Sequence, residues 1–283
     1  VTLNHIPLPM PEWQRTIARK TYETNLRLNN ANTPEFRSTD IIPSIKRVIT
    51  TGVNILLEKQ LALTFHEDFA NEGKLLKEKL SGWYGLEVVP EASVTITLDY
   101  LSDKKKAVNE EYYELSIDGQ QIRISATTPH GIFNGAQTLL GLLKGQESPF
   151  RLEAMSIVDY PDLLYRGQML DIARNYTTVD HLKKLIDIFS SYKLNVLQFH
   201  FSDDEGWRRG HTTDEKDRLY PAYDGGYDPC AATSGNGYYT REEFIDLLRY
   251  ATERHVQVIP EIESPGHARA AIVAMNARYQ KYI

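Results

Sequence analysis

Cysteine is almost missing from this chain. Cys230 stands alone among 283 residues, which excludes an intrachain disulfide framework and a multi-thiolate metal site, although one thiol does not identify a redox compartment. Long apolar runs are missing too: none approaches the roughly 20 residues that span a bilayer. The N-terminus lacks a basic segment followed by an apolar core, so the chain is expected to be soluble, with any signal peptide already removed. Positive charge is scarce and scattered. With a formal net charge of −6 and no basic patch beyond Lys104-Lys105-Lys106, which reads as a solvated loop, a nucleic-acid partner is excluded. Neither His-x-x-x-His nor Cys-x-x-Cys spacing occurs, and His211 and His255 read as peripheral, so no metal is expected.

What is present is an ordinary globular composition, 41% apolar and 25% charged, in a chain long enough for two units or one large barrel. The 17 Tyr, 9 Phe and 3 Trp suit sugar-stacking surfaces and tyrosine-rich cores equally. Residues 1 to about 90 are proline-broken and polar, with one helix expected around Phe69 to Leu80. From Val94 the pattern sharpens. Val94 to Leu98 alternates as a strand, and Tyr112 to Ser125 reads as two strands joined at Asp118-Gly119, a favoured hairpin pair. A helix follows from His130 to Leu143, with Phe133, Ala136, Gln137, Leu140 and Leu143 on one face and Gly145 as its stop. Gly145 to Pro161 reads as a linker.

From Tyr165 the rhythm becomes β-α-β-α-β, with an α beginning at Ala268. Strands are expected at Arg166 to Ile172, Asn195 to Phe201 and Val256 to Ile262. The first helix, Val179 to Tyr192, carries Leu182, Leu185, Ile186 and Phe189 inward and can be capped by Thr177 or Thr178. The second opens on the capping box Thr240 to Glu243 and turns Phe244, Leu247, Leu248 and Ala251 inward. Such repetition calls for a parallel sheet with helices outside, and a doubly wound sheet and a (β/α)8 barrel both fit. Each strand ends in a polar cluster, as a barrel site requires, and no Gly-rich phosphate loop follows the first strand, which favours the barrel.

Those clusters are Asp171, Arg174 and Asn175; His200, Asp203, Asp204 and Trp207; and Glu261, Glu263 and His267. Carboxylates, an arginine and a histidine converging on one rim can hold hydroxyl groups and shift one another's pKa. Each has a bland alternative. Arg174 could be a solvated partner of Asp171, Asp203-Asp204 a loop turn, and His200 a satisfied core histidine. His267 follows the turn Ser264-Pro265-Gly266, which aims its side chain back across the strand ends.

At these residues the chain resembles glycoside hydrolase family 20, the β-N-acetylhexosaminidases. The resemblance rests on RGQMLDIARNY (166–176), KLNVLQFHFSDDEGWR (193–208), GYYTREEF (237–244) and VIPEIESPGH (258–267), in order and spacing; upstream, residues 112–143 resemble the end of the family's N-terminal α/β domain. It implies an α/β fold: an N-terminal α/β (α+β) accessory domain over residues 1–155, then over 156–283 the first three β/α units of a (β/α)8 TIM barrel, incomplete here. It implies that Arg174 grips hydroxyls of a terminal sugar, that Asp203 and His267 support a catalytic glutamic acid, and, with less weight, that His200 and Glu263 also bind substrate.

The resemblance further implies removal of terminal N-acetyl-hexosamine, gluco- or galacto-configured, from β-linked glycans, with the substrate's own 2-acetamido oxygen as nucleophile. No cofactor and no metal are implied. The acid of that family belongs to an adjacent Asp-Glu pair at the end of the fourth strand. Only 16 residues follow His267, and Ala268 to Ile283 contain neither Asp nor Glu, so the pair is expected beyond this chain. The run GWRRGHTTDEK after Phe201 also lacks the family's proline-containing stretch. A polymer-degrading role points to a secreted or periplasmic protein. The competing reading is a non-catalytic carbohydrate-binding or assembly module that keeps Arg174; a third is a barrel hydrolase with a protein nucleophile.

Overall fold

Apolar alternation and helical periodicity are both present in each half of the chain, and they become a regular succession of strand and helix only after Asp159. The computed structural model describes residues 19–24, 41–50, 53–204, 206, 239–272 and 279. Residues Val1–Asp40 form one compact unit, described only as a helical stretch at 19–24, and Ile41–Ile283 form the other. Among the described residues no helix is long and apolar enough to cross a membrane.

The larger unit begins with a mixed seven-stranded sheet in the order β1-β9-β6-β7-β5-β3-β4. In chain order its strands are β1 (Arg47–Thr50), β3 (Gln60–Phe65), β4 (Glu87–Val89), β5 (Thr95–Tyr100), β6 (Tyr113–Asp118), β7 (Gln121–Ala126) and β9 (Met155–Asp159), while β2 (Ile55–Leu57) and β8 (Phe150–Leu152) make a separate antiparallel pair. The hairpin β6–β7 forms as expected, with Gly119 at φ 58° in the left-handed region that its missing Cβ leaves open. Helix α1 (Ala70–Tyr84) runs four residues beyond Leu80, because Gly85, at φ 63°, is where the chain turns: its N–H reaches Ser81 O and that of Leu86 reaches Leu80 O. Helix α2 (Pro129–Leu143), capped by Thr128, lies so close to the sheet that a Cβ on Gly131 would meet Tyr112 O at 2.5 Å. Both helices close the core formed by Leu76, Leu80, Ile96, Ile117, Ile124, Ile132 and Leu139.

The span 145–161, expected as a linker, contains β8 and β9. Met155 and Ile157 alternate into the core and β9 pairs with both β1 and β6, so this sheet continues past residue 155 to Asp159. The Gly and Pro of that span lie outside both strands, and its Ser156 is a paired residue of β9. The strands before residue 90 were equally illegible locally, since β2 and β4 are three residues long and take their partners from distant sequence.

After Asp159 come β10 (Gly167–Asp171), α3 (Val179–Ser191), β11 (Val196–His200), α4 (Arg241–Glu253) and β12 (Gln257–Glu261), three parallel strands in the order β10-β11-β12. Residues 269–272 are again helical. Leu182 and Ile186 of α3 and Leu247 and Ala251 of α4 pack on Leu197 and Phe199. Thr178 caps α3, and α4 carries the full capping box, Thr240 Oγ1 accepting from Glu243 N and Glu243 accepting from Thr240 N. Replacing Thr240 by Ala is expected to cost about 1 kcal/mol, read by urea unfolding, with the loss concentrated in amide protection of α4.

Both α3 and α4 hand over to the next strand through a residue with positive φ, Lys193 (59°) and His255 (57°). Each of these sends its side chain into the first half of the unit. Lys193 Nζ lies 2.8 Å from Asp159 Oδ2 and 2.9 Å from the Tyr113 hydroxyl. His255 Nε2 lies 2.9 Å from Glu72, and its ring stacks on His130 at 4.7 Å, so it is peripheral to the strand-end clusters but not to the packing. Beside them the buried Glu111 accepts from Arg166, Asn195 and Asn134. The two sheets are thus joined by paired charges at the N-terminal ends of the parallel strands, the end of such units that serves stability.

This junction makes stability depend on pH. Burial holds the His130 imidazole down to about 4, against the partly opposing pull of Glu111 3.3 Å away. An unfolded histidine titrates near 6.5, so between those values the unfolded chain binds the extra proton. Stability is therefore present above pH 6.5 and is lost as pH falls toward 4, by roughly 3 kcal/mol from this group. Urea unfolding at pH 7.5 and 4.5 should show that loss, and the His130→Gln variant should lose less by a similar amount.

Candidate active site

A parallel register carries residues of one face across neighbouring strands. Here it aligns Asp171 on β10, His200 on β11 and Glu261 on β12 in a row. Leu197, Phe199 and Phe201 point into the helix-facing core, so alternation turns Gln198 and His200 to the opposite face. At the strand C-terminal ends this face meets the loops that hold Arg174, Asp203 and His267.

The buried layer is a chain of charges. His200 Nδ1 lies 2.7 Å from Glu261 Oε1, and its Nε2 lies 2.7 Å from Asp203 Oδ2. Gln198 Nε2 donates to the other Glu261 oxygen. Asp203, 1% exposed, also accepts from the Arg174 guanidinium at 2.6 Å on Oδ2 and from Asp204 N at 2.6 Å on Oδ1. Arg174 bridges to a second carboxylate, Asp171 Oδ2, at 2.7 Å. Asp171 Oδ1 in turn accepts the backbone N–H groups of Ala173 and Arg174, which folds the loop after β10 back over its own strand end.

The outer layer faces solvent. Arg174 is 44% and His267 55% exposed by side chain, directly over the buried Asp203. His267 sits at φ 51° after Ser264-Pro265-Gly266, a backbone conformation that non-glycine residues adopt under constraint and often at functional sites. Its Nδ1 comes within 3.4 Å of Asp203 Oδ1 and 3.9 Å of Asp204 Oδ2. Glu263 is tied by its own N–H to Ser202 Oγ at 2.9 Å, and its carboxylate stands 4.0 Å from His200 Nδ1.

Electrostatics follow from this packing. Burial works against a charged His200, yet hydrogen bonds to Asp203 and Glu261 and the charge of Asp171 outweigh it and raise its pKa above the usual 6.5. The hydrogen bond from His200, then that from Gln198, holds Glu261 below the usual carboxylate range.

Arg174, Asp203 and His267, the three residues singled out most firmly in the sequence, therefore meet within one ion-pair network, with His200 beneath and Glu263 at its flank. Sequence reading placed Glu261 among the strand-end carboxylates without giving it a partner; counting register from the alternation of β11 and β12 would have set it beside His200. Among the described residues, His200-Glu261-Glu263 and Asp203-Asp204-His267 each bring three metal-capable side chains within 4.8 Å. In both, carboxylate oxygens already face histidine nitrogens, which is the geometry of ion pairs. Trp207 and the run that follows it, including His211 and Cys230, lie outside the described residues.

Two family models match adjoining parts of the chain: glycosyl hydrolase family 20, domain 2, over residues 38–160 and glycosyl hydrolase family 20, catalytic domain, over residues 163–282. The chain belongs to glycosyl hydrolase family 20. The join between the two matches falls where β9 ends and the parallel strands are about to begin. Among its family 20 relatives, the N,N'-diacetylchitobiase of Vibrio harveyi is 36% identical over 212 residues, covering 70% of this chain and 24% of the relative. The β-hexosaminidase of Vibrio furnissii is 32% identical over 238 residues, 80% of this chain and 36% of the relative. The crystal structure of a family 20 exo-β-N-acetylglucosaminidase from Vibrio harveyi in complex with N-acetylglucosamine superposes with a TM-score of 0.74 at 28% identity, covering 87% of this chain and 40% of that one. The family 20 β-N-acetylhexosaminidase of Streptomyces coelicolor superposes at 0.72, also at 28% identity, over 84% and 49%. The chain thus spans from a quarter to about half the length of these relatives.

Proposed function

We propose that this chain forms the sugar-gripping and acid-supporting part of a retaining β-N-acetylhexosaminidase that removes terminal N-acetyl-hexosamine, gluco- or galacto-configured, from β-linked glycans. The observation that carries the reading is Arg174, half exposed and held between Asp171 and the buried Asp203 at the C-terminal rim of three parallel strands, with His267 beside it. A guanidinium held at the rim by Asp171 Oδ2 on one terminal nitrogen and Asp203 Oδ2 on the other has the planar geometry that suits recognition of paired sugar hydroxyls.

In this proposal β10, β11 and β12 are the first strands of a (β/α)8 barrel, and a fourth strand supplies an adjacent Asp-Glu pair. Its Glu protonates the leaving oxygen, supported by Asp203 and His267. Its Asp orients the 2-acetamido group, whose oxygen attacks the anomeric carbon to give an oxazoline that water then opens with retention. Neither metal nor cofactor takes part. A polymer-degrading role supports a secreted or periplasmic location for the protein.

Hydrolysis of an aryl N-acetyl-glucosaminide against the plain aryl glucoside tests the reading, in a protein that carries this chain and the fourth strand. Turnover of the N-acetyl substrate alone is expected, and equal turnover of both would rule out the acetamido mechanism. A preparation confirmed by mass to end at Ile283 should show no turnover, because this reading assigns the acid pair to the fourth strand.

A further inference from the structure

His200 has both ring nitrogens in contact with carboxylate oxygens, 2.7 Å on either side, and is 7% exposed. A neutral imidazole donates from one nitrogen only, so one of these two contacts would set a ring lone pair against a carboxylate lone pair. An imidazolium satisfies both with charge-assisted hydrogen bonds. The groups around it favour that state: Glu261 and Glu263 from β12 and the turn after it, Asp171 from β10, and Asp203 from the end of its own strand, against Arg174, which Asp171 and Asp203 already neutralise.

We propose that His200 is a positioning residue, a buried imidazolium clamped between Glu261 and Asp203, which fixes the Asp203 carboxylate and through it the placement of Arg174 and His267 on the rim. With His200 and Arg174 both on Oδ2, Asp203 can rotate only by breaking two charge-assisted bonds, and its Oδ1 is left facing His267. Glu261 is then the far anchor of a line that runs Glu261, His200, Asp203, His267, and it acts on the rim without touching a sugar. Gln198 keeps that anchor in place from below. His200 itself would make no substrate contact. The inference rests on the hexosaminidase reading only in naming the rim as sugar-facing.

Long-range proton–nitrogen NMR of the histidine rings, on the uniformly nitrogen-15-labelled chain, tests it without needing turnover. His200 and His267 are assigned from the ring resonances that disappear in His200→Gln and in His267→Gln, and Glu261→Gln, a near-isosteric change, then carries the test even where variants at Asp203 fold poorly. At pH 7 both His200 nitrogens are expected to be protonated, and Glu261→Gln should lower its titration midpoint by about one unit or more. The His267 resonances should also shift in Glu261→Gln, although that residue does not contact Glu261. A neutral single tautomer at His200 at pH 7 would overturn the clamp, and an unmoved His267 would overturn its transmission to the rim. Absence of hexosaminidase activity would bear on the proposed function and leave these readouts unaffected.

Discussion

Exchanging Asp203 for Asn should lower kcat/KM for an aryl N-acetyl-glucosaminide by about 10²- to 10⁴-fold, the range that a positioned acid contributes. The measurement needs a protein that carries this chain together with the proposed fourth strand. Asn preserves the volume of Asp203 but removes the charge that faces Arg174 at 2.6 Å, His200 at 2.7 Å and His267 at 3.4 Å. Its amide would also turn an N–H toward one of these donors, where the carboxylate only accepts. The loss should fall mainly on kcat if Asp203 supports the acid, whereas Arg174→Lys, which keeps a charge but loses the two-sided fork to Asp171 and Asp203, should also raise KM. A folded Asp203→Asn protein within about threefold of the wild type would remove Asp203 from the mechanism.

The largest effect on stability is expected far from that rim. Lys193 and Asp159 are both buried, and together with Tyr113 they join the end of α3 to the seven-stranded sheet. Removing one partner strands the other charge out of water, so Asp159→Ala should cost about 3–5 kcal/mol. Replacing both, as Asp159→Leu with Lys193→Met, should come back to within about 1 kcal/mol of the wild type, since desolvation and attraction of such a pair nearly cancel. Urea unfolding of the single and double variants at pH 7 measures this. A single variant losing less than about 1 kcal/mol would mean that water already reaches the pair. The junction formed by Glu111, Arg166 and Asn195 repeats the arrangement nearby, so the two sheets should unfold in one transition.

Much of the parallel half was legible residue by residue, because its signals are local. The inward faces of α3 and α4 recur at helical spacing, Thr240 and Glu243 sit three apart as a capping box demands, and each strand ends in a polar cluster next to its own last apolar residue. The residues of the candidate site could be picked out for the same reason: Arg174, Asp203 and His267 all lie within a few residues of a strand end. The first 90 residues and the stretch 145–161 were not. Strands of three to five residues such as β2, β4, β8 and β9 carry too few alternations to stand out, and they exist because a partner tens of residues away supplies the hydrogen bonds.

Local chemistry along the parallel half was therefore enough to decide which of its segments are helical, where its strands end and which charged groups wait there. Whom those groups meet was decided only when the sheets formed. Parallel register set Glu261 beside His200 across 61 residues, and the left-handed turns at Lys193 and His255 swung their side chains onto Asp159 and Glu72. The reason is the range of the forces involved. Propensity, capping and periodicity act within a turn or two of the chain, whereas a buried charge is stable only beside a counter-charge, and packing chooses which one that is.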